Sequence, residues 1–160
     1  MSYKIITKRI ADIMQTIIGV YNVHTYFRDI PDDEEFQKAF TVEVGDKSIM
    51  TAWMMTRNSI QAERPSLDTQ TIMDVTHRIE VQGFYGMLDS EASEKDFQEV
   101  IDNINFLFRT KFKLEDATGA ALAGVIIVGE PQFVEIGHGQ FSNYFVHFCR
   151  MLLSIQERLQ

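Results

Sequence analysis

Met73-Asp74-Val75-Thr76-His77-Arg78-Ile79-Glu80-Val81-Gln82 is the stretch on which the fold turns. Met73, Val75, His77, Ile79 and Val81 fall on one side; Asp74, Thr76, Arg78, Glu80 and Gln82 fall on the other. Strict alternation of this kind makes a half-solvated antiparallel strand, because successive side chains point to opposite faces. Upstream, Ile49 to Met55 reads extended and the chain turns polar from Thr56 to Arg64, before Arg64-Pro65-Ser66-Leu67-Asp68 breaks it. Pairing Ile49–Arg64 with Thr69–Tyr85 gives one long hairpin. Sixteen residues at ~3.3 Å each span about 50 Å, whereas a compact domain of this length is near 40 Å across. A two-stranded ribbon alone in water is marginal. The polar distal half, Thr56 to Asp74, is therefore expected to lie on a neighbouring subunit. A second reading stays open, in which residues 56–71 are a flexible loop.

Two helices flank this region. Ile6, Ile10, Ile13, Met14, Ile17 and Ile18 form an apolar stripe at helical spacing, with Gly19 as a stop. Phe97, Val100, Ile101, Ile104, Leu107 and Phe108 form a second, after a capping-box-like Ser93 and Asp96. Between the first helix and the hairpin, Val23 to Phe27 reads extended, Asp29 to Glu35 reads as a solvated acidic loop, and Phe40 to Val44 as a strand. After the second helix, Val125 to Val128 is a buried strand that Phe133 to Ile136 continues past a bend. His138-Gly139-Gln140 is a turn, and Tyr144 to Ile155 a central strand whose tail, Gln156 to Gln160, turns helical. The expected fold is α+β: one domain over residues 1–160, a mostly antiparallel sheet with two amphipathic helices on one face, and a hairpin arm at about 49–85.

The chain has 160 residues, with 15 basic and 23 acidic side chains and a net charge of −8. That balance argues against tight nonspecific nucleic-acid binding, which needs clustered cations. No apolar run reaches the ~18 residues of a membrane span, and no secretory signal is visible. One cysteine excludes an internal disulfide and a multi-cysteine zinc site.

No phosphate loop, H-E-x-x-H or calcium loop is present, and His24, His77, His138 and His147 show no ligand spacing, so no metal or cofactor is expected. Cys149 with His147 is the best nucleophile candidate. The two share a strand face but stand about 6–7 Å apart, and a buried central-strand cysteine is the simpler reading. No catalytic residue is therefore assigned. Met50, Met54, Met55, Met73 and Met87 cluster at the hairpin base beside Trp53, either as core filler or as an adaptable contact surface.

The element order, with Ala39-Phe40-Thr41-Val42-Glu43-Val44, His77 to Tyr85 leading into Ser93–Arg109, and Asn143-Tyr144-Phe145-Val146-His147-Phe148, resembles the tail terminator (tail completion) proteins of long-tailed bacteriophages. The segment Ile49–Thr71 is longer than that pattern, which leaves a neck or head-completion protein as an alternative. The resemblance implies a structural virion protein and no enzyme: a hexameric ring at the head-proximal end of the tail. It would be assembled in the host cytoplasm, and it would contact the tail-tube protein and the head connector while DNA passes through without specific binding. Trp53, Met55, Arg57, Arg64, Asp68 and Arg78 are the expected subunit contacts. Two other classes remain: a small oligomeric α+β enzyme or ligand-binding domain lined by His77, Tyr85, His147 and Cys149, and an adaptor or chaperone using the methionine surface.

Overall fold

A computed structural model describes residues 3–63, 72–87, 90–115, 118–141 and 143–159. The protein is α+β. Its elements in order are α1 (Tyr3–Met14), β1 (Val23–His24), α2 (Asp33–Phe40), β2 (Thr41–Val44), β3 (Lys47–Glu63), β4 (Met73–Gly86), α3 (Ser90–Thr110), β5 (Lys113–Glu115), β6 (Ala121–Ile127), β7 (Gln132–Phe141) and β8 (Tyr144–Leu159). One sheet runs β1-β3-β4-β8-β6-β5, with β2 added to β3 and β7 added to β8. All pairings are antiparallel except β1 with β3.

The long hairpin is present, with Thr51 opposite Tyr85 and Glu63 opposite Asp74 across a bulge at Arg57/Ser59. It is not a free two-stranded ribbon over its described length. β8 pairs with β4 from Gly86↔Val146 to Met73↔Leu159, so the polar distal half is one side of a three-stranded sheet. The residues that the ribbon argument most needs, 64–71, lie outside the described set.

The core lies between this sheet and two helices. Ile6, Ile10 and Met14 of α1 and Phe97, Ile104 and Phe108 of α3 pack on Trp53, Ile79, Val81, Met151, Leu153 and Ile155. Removing each such side chain from water stabilises the fold by about 1.5–3 kcal/mol. Trp53 lies flat across its β4 partner Gly83, where a Cβ would stand 2.3 Å from the indole.

The expected acidic loop is a third helix. Asp32 caps α2 by accepting from the Glu34 and Glu35 amides, and Asp33, Glu34 and Glu35 complement the dipole of its first turn. Phe36 and Phe40 then point at the sheet's opposite face, onto Ala52, Met54, Phe84 and Phe141. Two helices thus share one face and the third covers the other.

Three further expectations change. His138-Gly139-Gln140 is mid-strand in β7. Its glycines lie beneath the Phe148 ring, which a Cβ on Gly139 would approach to 3.3 Å. The tail of β8 stays extended to Leu159, held by β4 on one side and β6 on the other. Ser93 is inside α3 and turns its hydroxyl to His147.

Candidate functional site

Two of the expected subunit contacts are interior. Trp53 is 1% exposed and tilts against Phe97 at 6.3 Å, and Met55 is equally buried opposite Val81. Both are spent on the chain's own core, because β3 turns them to the helix-covered face. Arg57 is exposed, its guanidinium 4.5 Å over the Tyr3 ring. Arg78 is exposed on the opposite face, between Ser59 and Ser154 in the register. Arg64 and Asp68 lie outside the described residues.

Arg78 belongs to the distal outer face of β3, β4 and β8, which α2 does not reach. Glu80 and Arg150 dominate this face. Arg150 donates from Nε to Glu80 Oε1 and from Nη2 to Glu80 Oε2, both at 3.1 Å, and from Nη1 to Glu135 at 3.2 Å. Gln82 and Asn58 add donors to Glu80, which these side chains roof over to 5% exposure. The Arg150 hydrogen bonds hold the Glu80 carboxyl below its usual pKa, against an opposing contribution from burial. Arg158 clamps Asp74 in the same bidentate way, at 2.8 and 2.9 Å. Thr76, Ser154 and Gln156 fill the rows between. The face is polar, with Arg150 and Arg158 held in ion pairs, so it can present a hydrated plane.

Besides the short terminal strand β5, this sheet has two long open edges among the described residues. Beyond Met54, no described strand pairs with the outer side of β3, and none pairs with the outer side of β7. The two edges lie on opposite flanks of β4 and β8. Their unpaired N–H and C=O groups are ready to add a strand from another chain.

The nucleophile candidates resolve differently. Cys149 is fully buried, and burial pushes its thiol up to about 12, so it stays protonated. His147 turns instead to Ser93, with Nε2 3.1 Å from Oγ, and the His138 ring is 5.0 Å away. Burial, then His138, lowers the pKa of His147 against an opposing pull from Glu94. Nothing in the sequence joins Ser93 to His147, 54 residues apart. The pair is 5% and 2% exposed, leaving no room for a substrate between them. Tyr85 and His147 are direct cross-strand neighbours, but His77 lies eight residues along β4, about 26 Å away at ~3.3 Å per residue. There it meets buried Glu157 at 3.3 Å. The four residues of the enzyme reading therefore do not converge on one pocket. The methionines divide: Met54 and Met55 are buried on opposite faces of the sheet, Met50 and Met73 are half-buried, and Met87 is exposed. Among the described residues no group of three or more His, Cys, Asp or Glu is placed to hold a metal ion, and no helix is long and apolar enough to cross a membrane.

Compared with known proteins, the sequence matches no protein-family model and no curated protein.

Proposed function

We propose that this chain is a structural virion protein that assembles into a ring at the head-proximal end of a phage tail. There it stops tube growth and joins the tail to the head connector. The observation that carries the reading is the pair of open strand edges, on β3 and β7, at opposite flanks of one long sheet. A contact between two different patches of the same chain is heterologous, and it closes into a ring when its rotation divides a full turn. The outer face supports the same reading. Its Arg150 and Arg158 are engaged by Glu80, Glu135 and Asp74, which leaves Arg78 as its exposed cation, and in a chain of net charge −8 such a face offers DNA a wall that grips phosphates weakly. The resemblance in element order to tail terminators names the kind of ring; the tail-tube protein and connector are its proposed partners, and the virion its proposed location.

The edge itself can be tested. Ser59 and Gln61 are exposed on the open part of β3. Lysine at both positions places like charges along the edge, a device that blocks strand addition without disturbing the core. The double variant is expected to keep its melting temperature within about 2 °C and to lose assembly. Unchanged assembly would remove the β3 edge from the interface.

A further inference from the structure

Away from the outer face, a cavity of about 320 Å³ opens between the turn after α1, the start of β3 and one side of α3. Its size falls in the range of small-molecule sites. Gly19 shapes one wall. Its φ of +90° is left-handed, and a Cβ there would stand 2.6 Å from Val100 Cγ2, so only glycine lets the turn come this close to α3. Val44, Ile49 and Val100 make an apolar side. Asp96, Glu99 and Asn103 recur at positions i, i+3 and i+7 of α3 and line the rim together. Among the side chains the structure describes, no Lys, Arg or His lines the cavity.

The floor supplies an independent pointer. Tyr85 is 8% exposed and lines the cavity, and among the described residues its hydroxyl has no protein partner and keeps its contact with solvent. Burial, then the Asp96 carboxylate and the Tyr21 phenol, push its pKa up, so the group stays a neutral hydroxyl beside those two rim residues. Asp96 and Glu99 are both exposed, and neither has a cation within ion-pair distance among the described residues. The cavity therefore combines two uncompensated carboxylates, two phenols and an apolar wall.

We propose that this cavity binds a small organic cation of the alkylammonium class, its head between Asp96, Glu99 and the Tyr85 hydroxyl and its alkyl stem on Val44, Ile49 and Val100. The ammonium donates to the carboxylates and to the phenol oxygen, and the tyrosine faces add cation–π attraction. An anion meets like charge. A neutral alcohol of the same shape gains only the apolar wall. The same head is carried by a free amine and by a lysine side chain.

The test is an NMR titration of the intact protein, reading the Tyr85 ring and the Val44 and Val100 methyls, with n-butylammonium, n-butanol and butyrate as probes. Saturable shifts with butylammonium are expected, at least tenfold tighter than with butanol, and none with butyrate. The rim variant Asp96→Asn/Glu99→Gln changes only exposed side chains and is expected to weaken binding at least tenfold with an unchanged melting temperature. Tyr85→Phe is expected to weaken it several-fold. Comparison with Nα-acetyl-lysine N-methylamide assigns the source: tighter binding of butylammonium indicates a free amine, and tighter binding of the lysine probe a side chain. Equal binding of butanol and butylammonium, or undiminished binding by the rim variant, overturns the proposal.

Discussion

Gly83→Ala tests how the centre of the sheet is packed. The new methyl carbon would stand 2.3 Å from Trp53 Cζ3 and 2.6 Å from Cε3 and Cη2. Carbon atoms in contact rest about 3.5–4.0 Å apart, so the ring must retreat by ~1.2 Å or more. It has little room to do so, being 1% exposed with Phe97 against it. Overpacking of a closed core costs about 1–3 kcal/mol, and this overlap with a rigid bicyclic ring belongs at the upper end, about 3 kcal/mol. For a chain of this size that lowers the melting temperature by roughly 6–12 °C. Urea unfolding followed by tryptophan fluorescence reads it, since Trp53 is the single tryptophan. The cause is isolated by repeating the substitution in Trp53→Leu, where the methyl finds space and the added cost should fall below about 1 kcal/mol. An equal cost in both backgrounds, or a cost under about 0.5 kcal/mol in the native one, would refute the placement of the indole over Gly83. A loss of assembly with no loss of stability would instead return Trp53 to a subunit interface.

Three more outcomes follow from the same packing. Glu80→Gln removes the charge that Arg150 grips and should cost about 1–2 kcal/mol, less than a fully buried pair because Arg150 still reaches water. The native Glu80 pKa is lowered, so its contribution is complete above the unfolded value near 4.3 and is lost as pH falls through the folded one. The variant's stability should therefore fall less steeply below pH 4 in acid titrations by circular dichroism, and an unchanged slope would count against the network. His24 and His147 are both held below the ordinary histidine pKa, chiefly by burial. The unfolded chain then binds more protons as pH drops below ~6.5. The urea midpoint should be lower at pH 5.5 than at pH 7.5, and less so in His147→Gln; a midpoint that rises on acidification contradicts this. Cys149 should resist Ellman's reagent at pH 8 in the folded protein and react fully in denaturant, whereas fast native labelling would contradict its burial and its thiol pKa of about 12.

Elements whose apolar period is set by one covered face were legible in the sequence. The alternation of Met73 to Gln82 is β4, and the stripes Ile6–Met14 and Phe97–Phe108 are α1 and α3. The first stripe overran its helix: after Met14 the chain makes single tight turns, through Thr16 N–H to Ile13 O and Ile17 N–H to Met14 O, and Ile18 ends exposed. The α2 helix was hidden because four successive acids look like a solvated loop. Its signal was present in the Asp32 cap, acids in a first turn, and Phe36 and Phe40 four apart. Elements decided by tertiary pairing were not legible. The tail of β8 is extended because β4 and β6 flank it, and the glycines of β7 sit in a strand because Phe148 lies over them, a fact of the neighbouring strand. The contact candidates divided for the same reason. Alternation says that Trp53 and Met55 share a face, but which face the helices cover is a property of the assembled sheet. The open edges of β3 and β7, like the Ser93–His147 pair, exist only once strand order is known.

The most direct test of the ring is the mass of the purified protein by native mass spectrometry over a wide concentration range. A closed oligomer of defined stoichiometry is expected, at six times the 18.5 kDa of one chain, falling to the monomer in the Ser59→Lys/Gln61→Lys variant. A wild-type chain that stays monomeric at every concentration would contradict the ring.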